Sequence, residues 1–195
     1  KLISNNLTTW FLIDEAYVEF TNLQSSGLVE KYNNVIIFRS FSKAFGVVGG
    51  LVAGEKHMVD YAFNKSRTML LSGSAPPATI AACMASIEVL ESEPQHVESL
   101  WSNTNYFRKE IQALGFDTGV SETPIIPVMC GESHRAKTLS AELLDHNVFA
   151  LPIVFPMVAR DKCRIRVMMS AGLNKEDLDI ALNGFEKGGK SAGII

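Results

Sequence analysis

The sequence predicts an α/β fold with a mainly parallel sheet in a first unit and a smaller α+β unit after it. Two short β-prone runs, residues 8–13 and 34–38, are separated by a polar stretch with room for a short crossover. A long alanine-rich helical pattern follows at residues 78–92. From residue 122 onwards, short apolar runs alternate with helical patterns. Together these observations indicate an α/β unit followed by a smaller α+β unit.

The composition excludes several classes of protein. Of the 195 residues, 47% are hydrophobic and 20% are charged, which is too apolar for a disordered chain. The net charge is −3 and the basic residues are dispersed, so the sequence argues against a nucleic-acid partner. Apolar runs are shorter than the roughly 18 to 20 residues that span a bilayer, so we expect no membrane span.

Cysteine and histidine usage points to a reducing compartment without a metal site. Cys83, Cys130 and Cys163 are far apart and form no C-x-x-C pair, so neither a disulfide framework nor a zinc site is predicted. The four histidines are scattered without ligand spacing, and we predict no bound metal. A cytoplasmic location fits these features best.

The first unit is expected to contain three strands. The run at residues 8–13 ends on Asp14, and the run at 34–38 ends in the polar stretch 39–43. Residues 46–54 carry four glycines among small apolar residues, which predicts a tight turn followed by a third short strand. The carboxyl ends of parallel strands share one edge of a sheet, so Asp14 and residues 40–43 should lie together.

The helices and the second unit follow in order. Residues 55–67 and 78–92 predict helices, and the pattern continues as helix over 93–114. We place the boundary inside this region, with a first domain over residues 1–95 and a second over 96–195. The second is expected to have strands at 125–129, 149–154 and 164–169, a helix at 136–146, and a last helix capped by Asn174 with Asp177.

The polar residues at the two strand ends have a chemistry in common. Pyridoxal phosphate, a cofactor that acts as an electron sink, needs a lysine for a Schiff base and a carboxylate beside its ring nitrogen. Lys43 and Asp14 are of these types, and the hydroxyls of Ser40 and Ser42 next to a glycine-rich turn suit a phosphate group. The phenol of Tyr17 could reach the ring hydroxyl.

Two motifs resemble the cofactor site of fold-type I pyridoxal-phosphate enzymes. FLIDEAYVEF (11–20) and VIIFRSFSKAFG (35–46) are similar to the site of the histidinol-phosphate aminotransferases, a likeness that covers residues 1–45. This resemblance implies that Lys43 is the Schiff-base lysine, that Asp14 partners the pyridine nitrogen and that Tyr17 donates to the ring oxygen. It also implies that Ser40 and Ser42 contact or position the phosphate. That family has an arginine eight residues after the lysine, where this chain has Leu51.

Residues 42–195 resemble the α-oxoamine synthases, which include glycine C-acetyltransferase and 8-amino-7-oxononanoate synthase. The segments that carry the likeness are SKAFGVVGGLVAG, LLSGSAPPA, LWSNTNYFRKEIQALGFDTG, SETPIIPVM and RIRVMMSAG. This family lacks the arginine after the lysine. The resemblance implies that Ser72 reaches the cofactor phosphate of a neighbouring subunit in a homodimer, and that Arg166 holds the substrate carboxylate. Tyr17 stands where these synthases have histidine.

The resemblance implies a transferase, with more than one reaction left open. The first expectation is an α-oxoamine synthase that condenses an amino acid with an acyl-CoA. The alternatives are an aminotransferase of class I/II, which would use an amino acid and a 2-oxo acid, and a non-catalytic partner subunit. Both families are about twice as long as this chain, and the likeness covers their second half.

Overall fold

The computed structural model describes residues 1–21, 23–73 and 75–195, and all side chains in them except those of residues 69 and 70. The chain divides into two compact units, Lys1–Glu93 and Pro94–Ile195. The assignment of residues 1–95 and 96–195 to a large cofactor-binding domain and a small domain stays a prediction. No helix in the described part of the chain is long and apolar enough to cross a membrane.

The sheet of the first unit has the strand order β1-β2-β3. Strands β1 (Phe11–Asp14) and β2 (Val35–Ser40) run parallel, as the sequence predicts, with Asp14 opposite Phe38. Strand β3 (Gly50–Gly54) instead runs antiparallel to β2, with Gly50 opposite Ser40. The reason is the length of the connection, because a parallel return needs a crossover of a dozen or more residues.

Five helical segments belong to the described part of the first unit. They are a 3-10 turn (Val18–Phe20), α1 (Ser26–Lys31), α2 (Lys56–Lys65), α3 (Arg67–Leu71) and α4 (Pro77–Ser92). Helix α4 begins with a proline in its first turn, where the missing N–H is not needed. Of its described side chains, Cys83 is buried while Ile80 and Met84 are exposed. Helix α4 therefore leaves apolar surface uncovered within its own unit.

The second unit combines a sheet of order β4-β6-β5 with three long helices. Its elements are α5 (Gln95–Ala113), β4 (Ile125–Gly131), α6 (Ser133–Asp145), β5 (Pro152–Ile153), β6 (Cys163–Met168) and α7 (Lys175–Ser191). Both neighbouring strand pairs are antiparallel. This is the α+β arrangement that the sequence predicts.

A dense core holds the second unit together. Phe185 of α7 packs edge-to-face against Phe107 of α5, with ring centroids 5.8 Å apart, and against Phe116 at 5.9 Å. Ile126 and Ile165, from β4 and β6, are fully buried in the same cluster. Burial of such side chains contributes about 1.5–3 kcal/mol each, so this core is the main source of stability for the unit.

The first turn of α7 confirms the predicted cap. The Asn174 side chain accepts a hydrogen bond from the Asp177 backbone N–H, and the Asp177 carboxylate accepts one from the Asn174 N–H, both at 3.0 Å. This reciprocal pair is a capping box, which satisfies two donors that a helix end otherwise leaves open.

Two expected elements differ in extent. The predicted strand at 149–154 is reduced to the two residues of β5, and the side chains of Phe149 and Leu151 are exposed. Their apolar character gives the strand pattern, but no partner strand pairs with them in the described residues. The predicted continuous helix also breaks at Glu93 and Pro94, because proline cannot donate to the preceding helical turn.

Candidate functional site

The candidate site lies where β1 and β2 end. Asp14 is the last residue of β1 and Ser40 is the last residue of β2. The two strands are parallel neighbours, so both residues lie at the same edge of the sheet. The edge beyond the carboxyl ends of parallel strands is where α/β folds bind their ligands. We refer to Asp14, Tyr17, Ser40, Ser42 and Lys43 as the strand-end cluster.

Asp14 is held in a local turn. Its Oδ1 atom accepts a hydrogen bond of 2.9 Å from the backbone N–H of Ala16. This is the turn that aspartate side chains favour after a strand. The Asp14 side chain is exposed in the described chain. A carboxylate is thereby fixed at the sheet edge with its surface open to a ligand.

The serine hydroxyls face each other at the end of β2. Ser40 Oγ and Ser42 Oγ share a hydrogen bond of 2.8 Å, and Ser40 Oγ accepts another from the Ser42 backbone N–H at 3.3 Å. The turn that follows is closed by a hydrogen bond of 3.0 Å from the Phe41 N–H to the Gly49 carbonyl. The two hydroxyls and this ordered turn provide the kind of donors that bind phosphate.

Glycine is required where this turn closes. Gly46 has φ +64° and Gly49 has φ +128°, conformations that side chains with a Cβ rarely adopt. A Cβ at Gly50 would collide with the Arg39 carbonyl across the strand pair. The run of glycines therefore sets the path of the chain directly after Lys43.

Lys43 lies beside Tyr17. The Lys43 Nζ atom is 5.9 Å from the centroid of the Tyr17 ring, within the range of a cation–π contact. Lys43 is exposed and Tyr17 is half-buried. The structure thus brings together a primary amine and a phenol that are 26 residues apart in the sequence.

Ser72 and Arg166 are described each within its own unit. The Ser72 hydroxyl donates a hydrogen bond to the Thr68 carbonyl, one helical turn earlier, and the side chain is exposed. Arg166 belongs to the second unit, on β6 opposite Pro127. It lines an open, largely apolar groove of about 970 Å³ whose wall also includes Leu151 and Met168. The roles predicted for Ser72 and Arg166 stay predictions.

An ion pair that the sequence analysis missed braces the cluster. Arg39 Nε donates to Glu15 Oε2 at 2.9 Å, and Arg39 Nη2 lies 2.9 Å from the same oxygen. The register places Asp14 opposite Phe38, so Glu15 and Arg39 are the next pair along. The sequence did contain a signal for this pair, because Glu15 directly follows Asp14 and Arg39 directly precedes Ser40, with opposite charges.

The residues present fit pyridoxal phosphate. The cluster supplies an amine, a carboxylate, a phenol and two hydroxyls at one sheet edge, which are the groups that this cofactor needs from a protein. No set of three or more His, Cys, Asp or Glu side chains in the described ranges could hold a metal ion. The donor set is thus suited to an organic phosphate and an aldehyde.

Comparison with known families decides the classification. Residues 1–185 match the family model described as aminotransferase class I and II. The chain belongs to this family. The match includes every residue of the strand-end cluster, together with Ser72 and Arg166.

Two curated relatives of this chain are synthases. The chain is 47% identical over 156 residues to an 8-amino-7-oxononanoate synthase of Symbiobacterium thermophilum, a match that covers 80% of this chain and 40% of the relative. It is 46% identical over 162 residues to the 8-amino-7-oxononanoate synthase/2-amino-3-ketobutyrate coenzyme A ligase of Thermus thermophilus, covering 83% and 41%. These matches confirm the likeness to the α-oxoamine synthases.

Solved structures share the fold over the full chain. A serine palmitoyltransferase from S. paucimobilis superposes with a TM-score of 0.85 at 24% identity, covering 100% of this chain and 50% of the other. An 8-amino-7-oxononanoate synthase from Francisella tularensis gives a TM-score of 0.74 at 14% identity, covering 98% and 68%. The prediction of a fold-type I fragment is confirmed. The chain spans about half the length of the curated relatives it matches.

Proposed function

We propose that this aminotransferase-family chain belongs to a pyridoxal-phosphate-dependent α-oxoamine synthase, which condenses an amino acid with an acyl-CoA. The observation that carries the proposal is the strand-end cluster, in which Asp14 and Ser40 end two parallel neighbouring strands and Lys43 follows three residues after Ser40. The identity with the synthases named above supports the choice of reaction. When bound, the cofactor supplies a ring that delocalises the negative charge formed at the α-carbon of the amino acid.

Each residue of the cluster has a defined part in this proposal. The Lys43 amine attaches the cofactor covalently and, once released, accepts and returns the proton of the substrate α-carbon. The Asp14 carboxylate holds a proton on the pyridine nitrogen, and the Tyr17 phenol donates to the ring oxygen. Ser40 and Ser42 position the phosphate through their hydroxyls.

The substrate and subunit contacts complete the proposal. The Arg166 guanidinium has a planar set of donors that suits a carboxylate, so we assign it to the carboxylate of the amino-acid substrate. Ser72 is assigned to the phosphate of a second subunit, which makes the working unit a homodimer. The buried free cysteines, Cys83, Cys130 and Cys163, fit a cytoplasmic enzyme.

A second candidate is favoured by one feature of the site. Tyr17 lies beside Lys43 in a motif that resembles the histidinol-phosphate aminotransferases, while the α-oxoamine synthases have histidine at this position. An aminotransferase would use the same residues to hold the cofactor, but it would release a 2-oxo acid and no free thiol. The third alternative, a non-catalytic partner subunit, would bind the cofactor without turnover.

A substrate assay separates these candidates. The chain is incubated with pyridoxal phosphate, one amino acid and one acyl-CoA, and both free thiol and 2-oxo acid are measured. We expect release of free thiol that requires both substrates and is lost in Lys43→Ala. Lys65→Ala, which removes another exposed lysine of the first unit, serves as the matched control and should retain the activity.

The other outcomes each contradict the synthase assignment. Production of 2-oxo acid without thiol release would make the protein an aminotransferase. Cofactor binding with neither product, across the small amino acids and short to medium acyl-CoA thioesters, would make it a non-catalytic subunit.

A further inference from the structure

The Glu15–Arg39 ion pair joins the two strand ends, with Glu15 next to Asp14 and Arg39 next to Ser40 in the sequence. We propose that this pair positions the strand-end cluster, so that Asp14 and Ser40 are held at the spacing that the cofactor requires. The inference rests on the proposed function, and it assigns to Glu15 and Arg39 a role in which neither residue reacts.

Burial makes the pair sensitive to the loss of either partner. The Glu15 side chain is 4% exposed and the Arg39 side chain is 29% exposed. A buried carboxylate is costly to keep ionised unless it is paired and hydrogen-bonded. Removing Arg39 would therefore leave an uncompensated charge, and removing the Glu15 charge would release the guanidinium.

The Glu15 carboxylate joins three segments of the chain. Its Oε2 atom accepts from Arg39 on β2, and its Oε1 atom accepts a hydrogen bond of 2.8 Å from the backbone N–H of Ser25, directly before α1. The Glu15 backbone N–H also donates to the Phe38 carbonyl at 2.8 Å. One residue thus ties the end of β1 both to β2 and to the start of α1.

The functional residues are the immediate neighbours of this pair. Asp14 precedes Glu15, and Ser40 follows Arg39. Adjacent Cα atoms are about 3.8 Å apart, so a shift of the pair moves both functional residues. Binding sites tolerate displacements of about 0.5 Å before they lose precision. An ion pair that keeps the two strand ends from shifting by more than this distance preserves the geometry of the site, although it does not contact the cofactor.

Paired variants test this role. Glu15→Gln removes the charge while an amide oxygen can still accept from Ser25, and Arg39→Lys keeps the charge but loses the guanidinium geometry. The control is Asp60→Asn, which breaks the exposed Lys56–Asp60 pair of α2, with side chains 84% and 56% exposed. Two quantities are measured for each variant: the dissociation constant for pyridoxal phosphate by absorbance, and hydrogen exchange of the cofactor-free chain.

We expect Glu15→Gln and Arg39→Lys to weaken cofactor binding at least tenfold. In the cofactor-free state, amide exchange should speed up in residues 15–25 and 38–49 and stay unchanged in Pro94–Ile195. Asp60→Asn should alter neither quantity. A change confined to these segments also shows that the variants remain folded.

The outcomes separate this inference from the proposed function. Wild-type exchange rates around residues 15–25 in both variants, or cofactor affinity equal to that of Asp60→Asn, would overturn the positioning role. If the unaltered chain binds no cofactor, the proposed function fails. In that case, faster amide exchange in the variants would show only that the pair orders the strand ends. The proposed link between the pair and the cofactor would be rejected.

Discussion

At the scale of single residues, the buried thiols report most directly on packing. Cys130 is 4% exposed on β4, and its Sγ atom lies 3.4 Å from the Val128 carbonyl oxygen. Burial in the core raises the pKa of the Cys130 thiol to about 11 from an ordinary value of 9.0. The thiolate is the form that reacts with alkylating reagents, so the folded chain protects this cysteine chemically as well as sterically.

The pKa of Cys130 leads to a prediction about alkylation. At pH 8, iodoacetamide should alkylate Cys130 on the order of 100-fold more slowly in the folded chain than in the unfolded chain. The reason is that the thiol pKa is about two units higher in the folded chain, so the reactive thiolate fraction is about 100-fold smaller. Mass spectrometry of the Cys130 peptide, with and without urea, measures both rates. Equal rates in the two states would show that Cys130 is not buried as described.

The same shift has a defined effect on stability. The folded-state pKa of Cys130 lies above its ordinary value, so the folded chain holds this proton more tightly than the unfolded chain. The resulting stabilisation is present below pH 9 and is lost as the pH rises from 9 through about 11. The free energy of unfolding of the second unit should therefore fall as the pH rises through this window.

At the scale of elements, helix α7 organises the second unit. Its Phe185 joins the aromatic cluster, and its glycines allow neighbouring side chains to approach closely. A Cβ at Gly189 would overlap the Phe116 ring and would lie 3.0 Å from Ile195 Cγ1. Gly189 is therefore kept for packing, although glycine lowers the propensity of a helix.

Replacing a helical glycine by alanine usually stabilises a protein, and at Gly189 we expect the opposite. We expect Gly189→Ala to lower the free energy of unfolding by about 1–3 kcal/mol through overpacking. The matched control is Gly27→Ala in α1, where a Cβ meets nothing within 4 Å and alanine should stabilise by about 0.5–1 kcal/mol. Urea unfolding followed by circular dichroism measures both. A stabilising effect of Gly189→Ala would contradict the described packing of α7 against Phe116.

The elements also show what sequence patterns could and could not predict. Asp14 directly follows one apolar run and Ser40 lies in the polar stretch that follows the next, so their place at the ends of parallel strands followed from the pattern. The antiparallel direction of β3 follows from its short connection to β2, not from the apolar pattern of the strand itself. The Glu15–Arg39 pair depends on strand register, which a pattern of apolar residues does not define for so short a sheet. The reduction of residues 149–154 to β5 has the same origin, because pairing and not composition sets the length of a strand.

At the scale of the whole molecule, the two units differ in how much they bury. The extensive core cluster lies within Pro94–Ile195. In the described part of Lys1–Glu93, the buried apolar side chains are Val35, Ile37 and Cys83, while Leu12 and Val52 of the sheet are more than half exposed. Exposed apolar surface on this scale is typical of interfaces. The unit that carries the strand-end cluster is thus the less completely covered one.

This difference bears on the proposed function. Matched relatives are about twice as long as this chain, and the cofactor site proposed here rests on residues of the less covered unit. The geometry of the strand-end cluster is nevertheless formed by local contacts: the Asp14 turn, the serine pair and the Glu15–Arg39 brace. A site held by contacts of this kind can be tested in the chain as it stands.

The most direct test of the account is the site of cofactor attachment. The purified chain is incubated with pyridoxal phosphate, reduced with borohydride and mapped by peptide mass spectrometry. The account predicts a visible absorbance band before reduction and a label concentrated on Lys43, with both lost in Lys43→Ala and kept in Lys65→Ala. A label spread over the exposed lysines, or a band that persists in Lys43→Ala, would contradict the assignment of Lys43 and of the strand-end cluster.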